Sequence, residues 1–203
     1  MKHIQVPSIY VDSAATGANN GTSWADAFTD LQTPLNLVTG TCEIWVAQGV
    51  YKPTNTADRT LSFAMKSGIA IYGGFAATET LRTERDWEAN ITVLSGDIDN
   101  NDLTDPNGVV TDTAHIVGNN SYHVVVANGT DDTTIIDGFT ITAGLANGSY
   151  APLCGPHIGG GLCNYSSHLN LTNLVLVVIK HLVEGILQSR MAIPDLENFL
   201  QWQ

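Results

Sequence analysis

Two strand-like runs follow each other between His123 and Gly148, with no room for a helix between them. The runs are His123–Ala127 and Thr133–Thr142, both rich in Val, Ile and Thr and each followed closely by Gly or Asn. Such runs bounded by turn residues are typical of β-strands. Two arrangements stay open. One is a hairpin at Asn128-Gly129; the other is a coil of short parallel strands in which each turn of chain stacks on the previous one.

The charge balance restricts the partners that this chain can bind. Lys and Arg number 8 against 20 Asp and Glu, which gives a net charge of −12. Because phosphate groups must be neutralised by basic side chains, this balance excludes nucleic acid and anionic membrane surfaces as partners. The longest apolar run, Leu174–Ile179, is too short to span a bilayer, so no transmembrane segment is expected.

Further strands are predicted along the chain at irregular spacing. They are Glu43–Ala47, Ser62–Met65, Ile69–Tyr72, Thr92–Leu94 and Leu169–Thr172. A helical turn is expected at Thr83–Ala89. With 19 Gly and many Asn, Asp and Thr in the chain, the composition favours a turn-rich all-β protein.

One amphipathic segment precedes the strands. Ser23 is a suitable N-cap with Asp26 three residues later, as in a capping box. The apolar residues at helical spacing are Trp24, Ala27, Phe28, Leu31 and Leu35. We therefore predict a helical cap over about residues 23–37, which Pro34 should kink or end early. Such a cap would cover the exposed end of a strand stack.

An acidic loop, GDIDNNDLTDPNG, is a candidate calcium site. Its carboxylates are Asp97, Asp99, Asp102 and Asp105. Calcium takes several oxygen ligands from closely spaced Asp and Asn side chains. The loop lacks the Gly at the sixth position and the Glu at the twelfth that an EF-hand requires. The alternative interpretation is a solvated loop shaped by Asx turns.

No catalytic set emerges from the residue pattern. No two carboxylates lie on one predicted strand face, as glycoside hydrolysis would require. Asp137 precedes Gly138 and is interpreted as a corner residue that binds backbone N–H groups, and Arg85-Asp86 as a surface ion pair. Tyr51 and Trp87 are candidates for an exposed sugar-stacking platform, whereas Trp45 is expected either to lie in the core or to stack between rungs.

The cysteines show no metal-binding spacing. Cys154 and Cys163 are close enough in sequence to form a disulfide across one turn, and buried thiols are the alternative. Residues 1–8 lack the apolar stretch of a signal peptide and are expected to form an irregular leader.

Several sequence blocks, in this order, resemble the N-terminal part of bacterial secreted right-handed parallel β-helix proteins. The blocks are YVDSAATGANNGTSWADAFTDLQ, EIWVAQGVYKPT, IAIYGGFAATET, ITVLSGDID and SYHVVVANGTDDTTIIDGFTITAG. Those proteins have the pectin-lyase-like fold, and many carry repeats like those of the chlamydial polymorphic outer membrane proteins. Gly159–Leu162 matches the GG-[AIG]-[IL] element of these repeats, but the F-x-x-N element expected shortly after Asn173 is missing.

The chain changes character at Leu174, where the Gly and Asn turns stop. Back-translation of Leu174–Glu197 with ordinary codons, read from the third base, restores F-S-G-N and then G-G-G. We therefore hypothesise that residues after about Asn173 are translated out of frame. The alternative is a genuine capping helix around Pro194–Trp202. The predicted organisation is a leader at 1–8, a β-helix domain at 9–173 and an atypical tail at 174–203.

The resemblance implies a short right-handed parallel β-helix that serves as a non-enzymatic scaffold, secreted or at the cell surface. Its expected partners are polysaccharides or other cell-surface ligands, with calcium as the one candidate cofactor. End-to-end self-association through an uncapped rung is a further expectation. The alternatives are a polysaccharide lyase or glycoside hydrolase of the same fold, or an inactive truncated fragment.

Overall fold

The computed structural model describes residues 7–148, 155 and 158–179. These residues form twelve β-strands, one α-helix and two short 3₁₀ turns, at Arg82–Glu84 and Thr113–His115. The helix α1 spans Gln32–Leu37. The strands are β1 Ser8–Val11, β2 Cys42–Ala47, β3 Gly49–Tyr51, β4 Phe63–Met65, β5 Ile69–Phe75, β6 Thr92–Ser95, β7 Val125–Asn128, β8 Thr134–Asp137, β9 Thr140–Thr142, β10 Leu162–Tyr165, β11 Leu169–Thr172 and β12 Val175–Val177.

The strands form three sheets in which every neighbouring pair is parallel. Sheet A has the order β1-β2-β5-β8-β11, sheet B the order β3-β6-β9-β12, and sheet C the order β4-β7-β10. From β2 onward the chain therefore visits sheets A, B and C in turn. The predicted all-β class with parallel strands is confirmed.

The hairpin alternative at Asn128-Gly129 is wrong. Strand β7, which ends at Asn128, pairs in parallel with β4 and β10 in sheet C, whereas the next strand, β8, belongs to sheet A. The run predicted as Thr133–Thr142 is two strands, because Gly138 has a φ of +83° and turns the chain from sheet A into sheet B. That left-handed conformation favours glycine.

The core lies between the three sheets. On sheet A the inward side chains of successive strands align through the register Ile44–Ile71–Ile136, all three fully buried. They pack with buried side chains of the other two sheets, such as Phe63 and Ile141. Burial of one such side chain contributes about 2 kcal/mol, so this ladder is a main source of stability.

The outer edge of β1 is closed by the segment that follows it. The Tyr10 amide donates to the Gly21 carbonyl at 3.0 Å, and the Tyr10 carbonyl accepts from the Phe28 amide at 3.0 Å. The Asp12 amide donates to the Phe28 carbonyl at 2.9 Å. These bonds satisfy backbone groups that an edge strand would otherwise leave open.

The predicted helix at 23–37 is shorter than expected, since α1 begins only at Gln32. The Asp26 amide does donate to Ser23 Oγ at 3.2 Å, so the capping contact forms. The chain then leaves the helical path because the Phe28 backbone pairs with β1. Pro34 lies in the first turn of α1, where no amide is needed, and therefore does not end the helix.

The structure also contains strands that the sequence did not predict. These are β1, β3, β10 and β12. Strand β12 pairs in register with β9, although it lies in the segment predicted as an atypical tail. Residues 180–203, including the alternative capping helix, and most of the leader at 1–8 lie outside the described residues.

Candidate functional site

An open groove lies on the outward face of sheet A, beside residues 76–90, which we call the strap. The strap is fixed to sheet A by bonds from the Asp86 amide and Asn90 Nδ2 to the Gly74 carbonyl, at 2.8 and 3.2 Å. The groove has a volume of about 440 Å³. Its lining residues are Tyr72, Arg82, Thr83, Arg85, Ile135, Asp137, Asn170 and Thr172.

The sheet register builds the floor of this groove. Alternate side chains of a strand point to opposite faces, so the parallel register aligns the outward ones in rows. One row is Trp45, Tyr72, Asp137 and Thr172. The neighbouring row is Glu43, Ala70, Ile135 and Asn170. Four separate sequence segments therefore contribute one continuous surface.

A largely buried ion pair joins the strap to the groove floor. Arg85 Nη2 lies 2.6 Å from Asp137 Oδ2, and the two side chains are only 12% and 14% exposed. Arg85 Nη1 also donates to the Gly73 carbonyl at 2.9 Å, and Asn173 Nδ2 donates to Asp137 Oδ1 at 2.8 Å. The corner position of Asp137 is as predicted, but its partners are side chains and not the backbone amides expected.

The predicted surface pair Arg85-Asp86 is wrong. Asp86 accepts instead from the amides of Glu88 and Ala89, at 3.1 and 3.0 Å, and so shapes a turn of the strap. Arg85 faces the opposite way because the carboxylate of Asp137 is available on the sheet.

A second ion pair, Arg82 with Glu43, lies across the same face. The guanidinium of Arg82 is 4.4 Å from the ring centre of Tyr72, and that of Arg85 is 5.4 Å away. Burial raises the pKa of the Tyr72 phenol, while the charge of Arg82 opposes that rise. The phenol is therefore a neutral hydrogen-bonding group at physiological pH.

The groove combines polar groups with little net charge, because each guanidinium is matched by a carboxylate. Arg82 is 42% exposed and keeps N–H groups facing solvent. Asn170 and Thr172 add an amide and a hydroxyl, and Ile135 supplies an apolar patch. This arrangement can hold a polar, largely uncharged ligand in place. The paired Asp137 carboxylate is poorly suited to act as a general base.

An aromatic cluster covers sheet A beside the groove. Trp45 stacks on Phe75, with ring centres 4.9 Å apart and planes 9° from parallel, which confirms its predicted stacking role. Trp24 packs edge-on to Tyr10, and its indole N–H donates to the Glu79 carbonyl at 2.9 Å. The Trp24–Glu79 bond therefore ties the strap to this cluster, in addition to the ion pairs that tie it to sheet A.

The predicted sugar-stacking platform does not form. Tyr51 is 2% exposed and donates its hydroxyl to the Ala47 carbonyl at 3.0 Å. Burial raises the pKa of Tyr51 to about 12. Trp87 is only half-buried, but it does not line the groove. The reason for the Tyr51 error is that this side chain takes an inward position on β3.

In the loop predicted to bind calcium, the positive charge next to the carboxylates comes from a lysine side chain. Lys52 Nζ lies 3.0 Å from Asp97 Oδ2 and 2.7 Å from Asn100 Oδ1. The Asp97 side chain is 7% exposed, so this ammonium neutralises a buried carboxylate. The same loop spacing that suggested calcium therefore supports an internal ion pair.

The other three carboxylates of this loop accept hydrogen bonds from protein donors. Asp99 accepts from Asn101 and the Asn119 amide, Asp102 from Asn120 and the Val117 amide, and Asp105 from the Asn107 and Val109 amides. Burial raises the pKa of Asp102, and its hydrogen bonds oppose that rise. Within the part of the chain that the structure describes, no three His, Cys, Asp or Glu side chains form a metal-binding group. The four carboxylates predicted to bind calcium therefore do not form such a group in the described part of the chain.

Cys163 forms a disulfide, whereas Cys42 is a buried free thiol. The predicted partner of Cys163, Cys154, lies outside the described residues. None of the helices in residues 7–148 and 158–179 is long and apolar enough to cross a membrane.

The sequence did not point to the groove, because its residues come from distant segments. Arg85 and Asp137 are 52 residues apart, and Arg82 and Glu43 are 39 apart. The alternation of inward and outward side chains along one strand can be inferred from the sequence, but the register between neighbouring strands cannot. No family model, no curated protein and no solved structure matches this chain.

Proposed function

We propose that this chain is the capped N-terminal end of a short right-handed parallel β-helix of the pectin-lyase-like type. Two observations support this proposal. Strands β2 to β10 pass through sheets A, B and C in strict rotation, with parallel pairing between successive turns. Four of the five sequence blocks that resemble secreted β-helix proteins contain strands of this series, namely β2, β3, β5, β6, β7, β8 and β9.

Its role is that of a non-enzymatic scaffold, secreted or at the cell surface, that binds polysaccharide on the outward face of sheet A. The observation that carries this role is the pairing of charges in the groove. Arg85 with Asp137 and Arg82 with Glu43 form a rigid, nearly neutral surface rich in hydrogen-bonding groups. A lyase or hydrolase would instead need an unpaired acid or base facing the ligand.

Calorimetric titration of the full chain with neutral and acidic polysaccharides tests this role. Thr172→Arg should fill the groove and abolish binding. Thr104→Arg is the matched control, because Thr104 is an exposed threonine in the acidic loop and adds the same charge away from sheet A. Equal binding by both variants would place the ligand elsewhere.

An activity assay separates the scaffold from the enzyme alternative. The protein is incubated with polygalacturonate, with and without calcium, and ultraviolet absorbance is followed. We expect no change. An unsaturated product or a new reducing end would overturn the non-enzymatic role.

A further inference from the structure

The two ends of the strand stack differ. At the first end, the outer edge of β1 is bonded to Gly21 and Phe28, as described above. Helix α1 contacts β4 and buries Leu35 in the central core cluster, where Leu31, the residue before the helix, is buried as well. Ser13 lies beside β3, where its amide donates to the Tyr51 hydroxyl at 3.3 Å. The first end is therefore bonded along the edge of sheet A and covered by α1 at sheet C, with Ser13 beside sheet B.

At the second end, the terminal strands are β11 in sheet A, β12 in sheet B and β10 in sheet C. Among the residues that the structure describes, no strand lies beyond them. Leu174 and Leu176 are only partly buried against the core, and Val175 is 43% exposed. Among the described residues, this open end therefore presents apolar side chains between three strand edges that pair with no further strand.

The described strands of the open end lack the charged side chains and the proline that commonly block an edge strand. Natural edges are commonly blocked by charged side chains, proline or bulges. Residues 158–179 contain no Asp, Glu, Lys, Arg or Pro, although the whole chain carries a net charge of −12. The described segment that forms this end is thus uncharged, in a chain whose net charge is otherwise strongly negative.

We propose that the open end binds the open end of a second copy of this chain and forms a closed dimer. The three strand edges of one open end are best matched in arrangement by the three edges of another open end. The closed first end cannot accept the open one, because its β1 edge is already bonded and α1 covers its core. A head-to-tail fibre is therefore blocked, and the remaining contact is two-fold symmetric. This inference rests on the proposed strand stack and is independent of its ligand.

Sedimentation velocity of the full chain between about 1 and 100 μM tests the dimer. We expect monomer and dimer in exchange, with more dimer at higher salt because salt screens the repulsion between two anionic molecules. A chain that stays monomeric over this range, or that grows into species larger than a dimer, would overturn the proposal.

Val175→Lys places a charge at the open end and should weaken dimerisation by at least about tenfold. Leu37→Lys is the matched control, since Leu37 is 66% exposed at the closed end, and it should dimerise like the unmodified chain. At a protein concentration low enough for the monomer to predominate, both variants should keep the unmodified unfolding midpoint, because both side chains face solvent in the monomer. Equal weakening by the two substitutions would contradict the assigned surface.

Amide hydrogen exchange distinguishes a second copy from other occupants of the same surface. Amides of β11 and β12 should exchange more slowly as the protein concentration rises. Protection that is independent of concentration in a monomer would show that residues 180–203 cover this end instead, and the proposal would be wrong. Polysaccharide binding by Val175→Lys should be unchanged, so that failure of the dimer and failure of the groove can be told apart.

Discussion

Removal of the Arg85 side chain is the most informative perturbation of the strap. Arg85→Met deletes the 2.6 Å contact with Asp137 and the 2.9 Å bond to the Gly73 carbonyl. A hydrogen bond to a charged group contributes about 1.5–3 kcal/mol, and a neutral one about 1 kcal/mol. Because Asp137 would stay in place at 14% exposure without its counter-charge, we expect a loss of about 3 kcal/mol in the free energy of unfolding.

Urea unfolding followed by circular dichroism measures this loss through the linear dependence of the unfolding free energy on urea. Arg82→Met is the internal control, because Arg82 is 42% exposed and its pair with Glu43 should contribute less than about 1 kcal/mol. The double variant Arg85→Met/Asp137→Leu removes both charges and should recover part of the stability. A loss below about 0.5 kcal/mol for Arg85→Met, or fully additive losses in the double variant, would refute the reasoning.

Three further predictions concern the backbone, the pH dependence and the acidic loop. Gly138→Ala places a side chain at a φ of +83°, with its Cβ 3.0 Å from the Gly73 carbonyl, and should lower the free energy of unfolding by about 2–3 kcal/mol. Gly40→Ala, at a φ of +80° with open space around it, should lower it by only about 1 kcal/mol. Thermal unfolding compares the two variants. The pKa of Tyr51 is raised from 10.0 to about 12, so the contribution of the buried phenol to stability is complete below pH 10 and is lost as the pH rises toward 12. Tyr51→Phe should reduce this alkaline loss of stability in unfolding curves recorded at different pH values. An unchanged pH profile would contradict the role assigned to the buried phenol. Because Lys52 already neutralises Asp97, millimolar calcium should shift the unfolding temperature by less than about 1 °C, and a clear rise would restore the calcium site.

The local part of the fold was predictable from the sequence. The β-branched runs bounded by turn residues located eight of the twelve strands to within a few residues, because strand preference and turn chemistry are properties of short segments. The short strands β3 and β12 were missed, since Gly49–Tyr51 and Val175–Val177 carry too few residues to show alternation. The extent of the N-terminal helix was wrong for a different reason. The Phe28 backbone pairs with β1, and this long-range contact overrides a good local helical pattern.

The candidate site was much less predictable than the fold. The acidic loop was noticed because its carboxylates are adjacent in sequence, but its counter-charge comes from Lys52, 45 residues before Asp97. Tyr51 was placed on the surface because a three-residue strand gives no indication of which side faces inward. The groove depends on the register between β5, β8 and β11, and a shift of one residue would turn each row to the core.

The hydrogen bonds on the outer edge of β1 limit where further strands of sheet A can pair. The residues that seal its outer edge, Gly21 and Phe28, are synthesised before β2, so the start of the chain holds its own blocking segment before the next strand emerges. Each later turn can then add only at the side still open. In sheet A, the later strands β5, β8 and β11 accordingly follow β2 in chain order on that side. The segment that contains Gly21 and Phe28 therefore prevents later strands from pairing with the outer edge of β1.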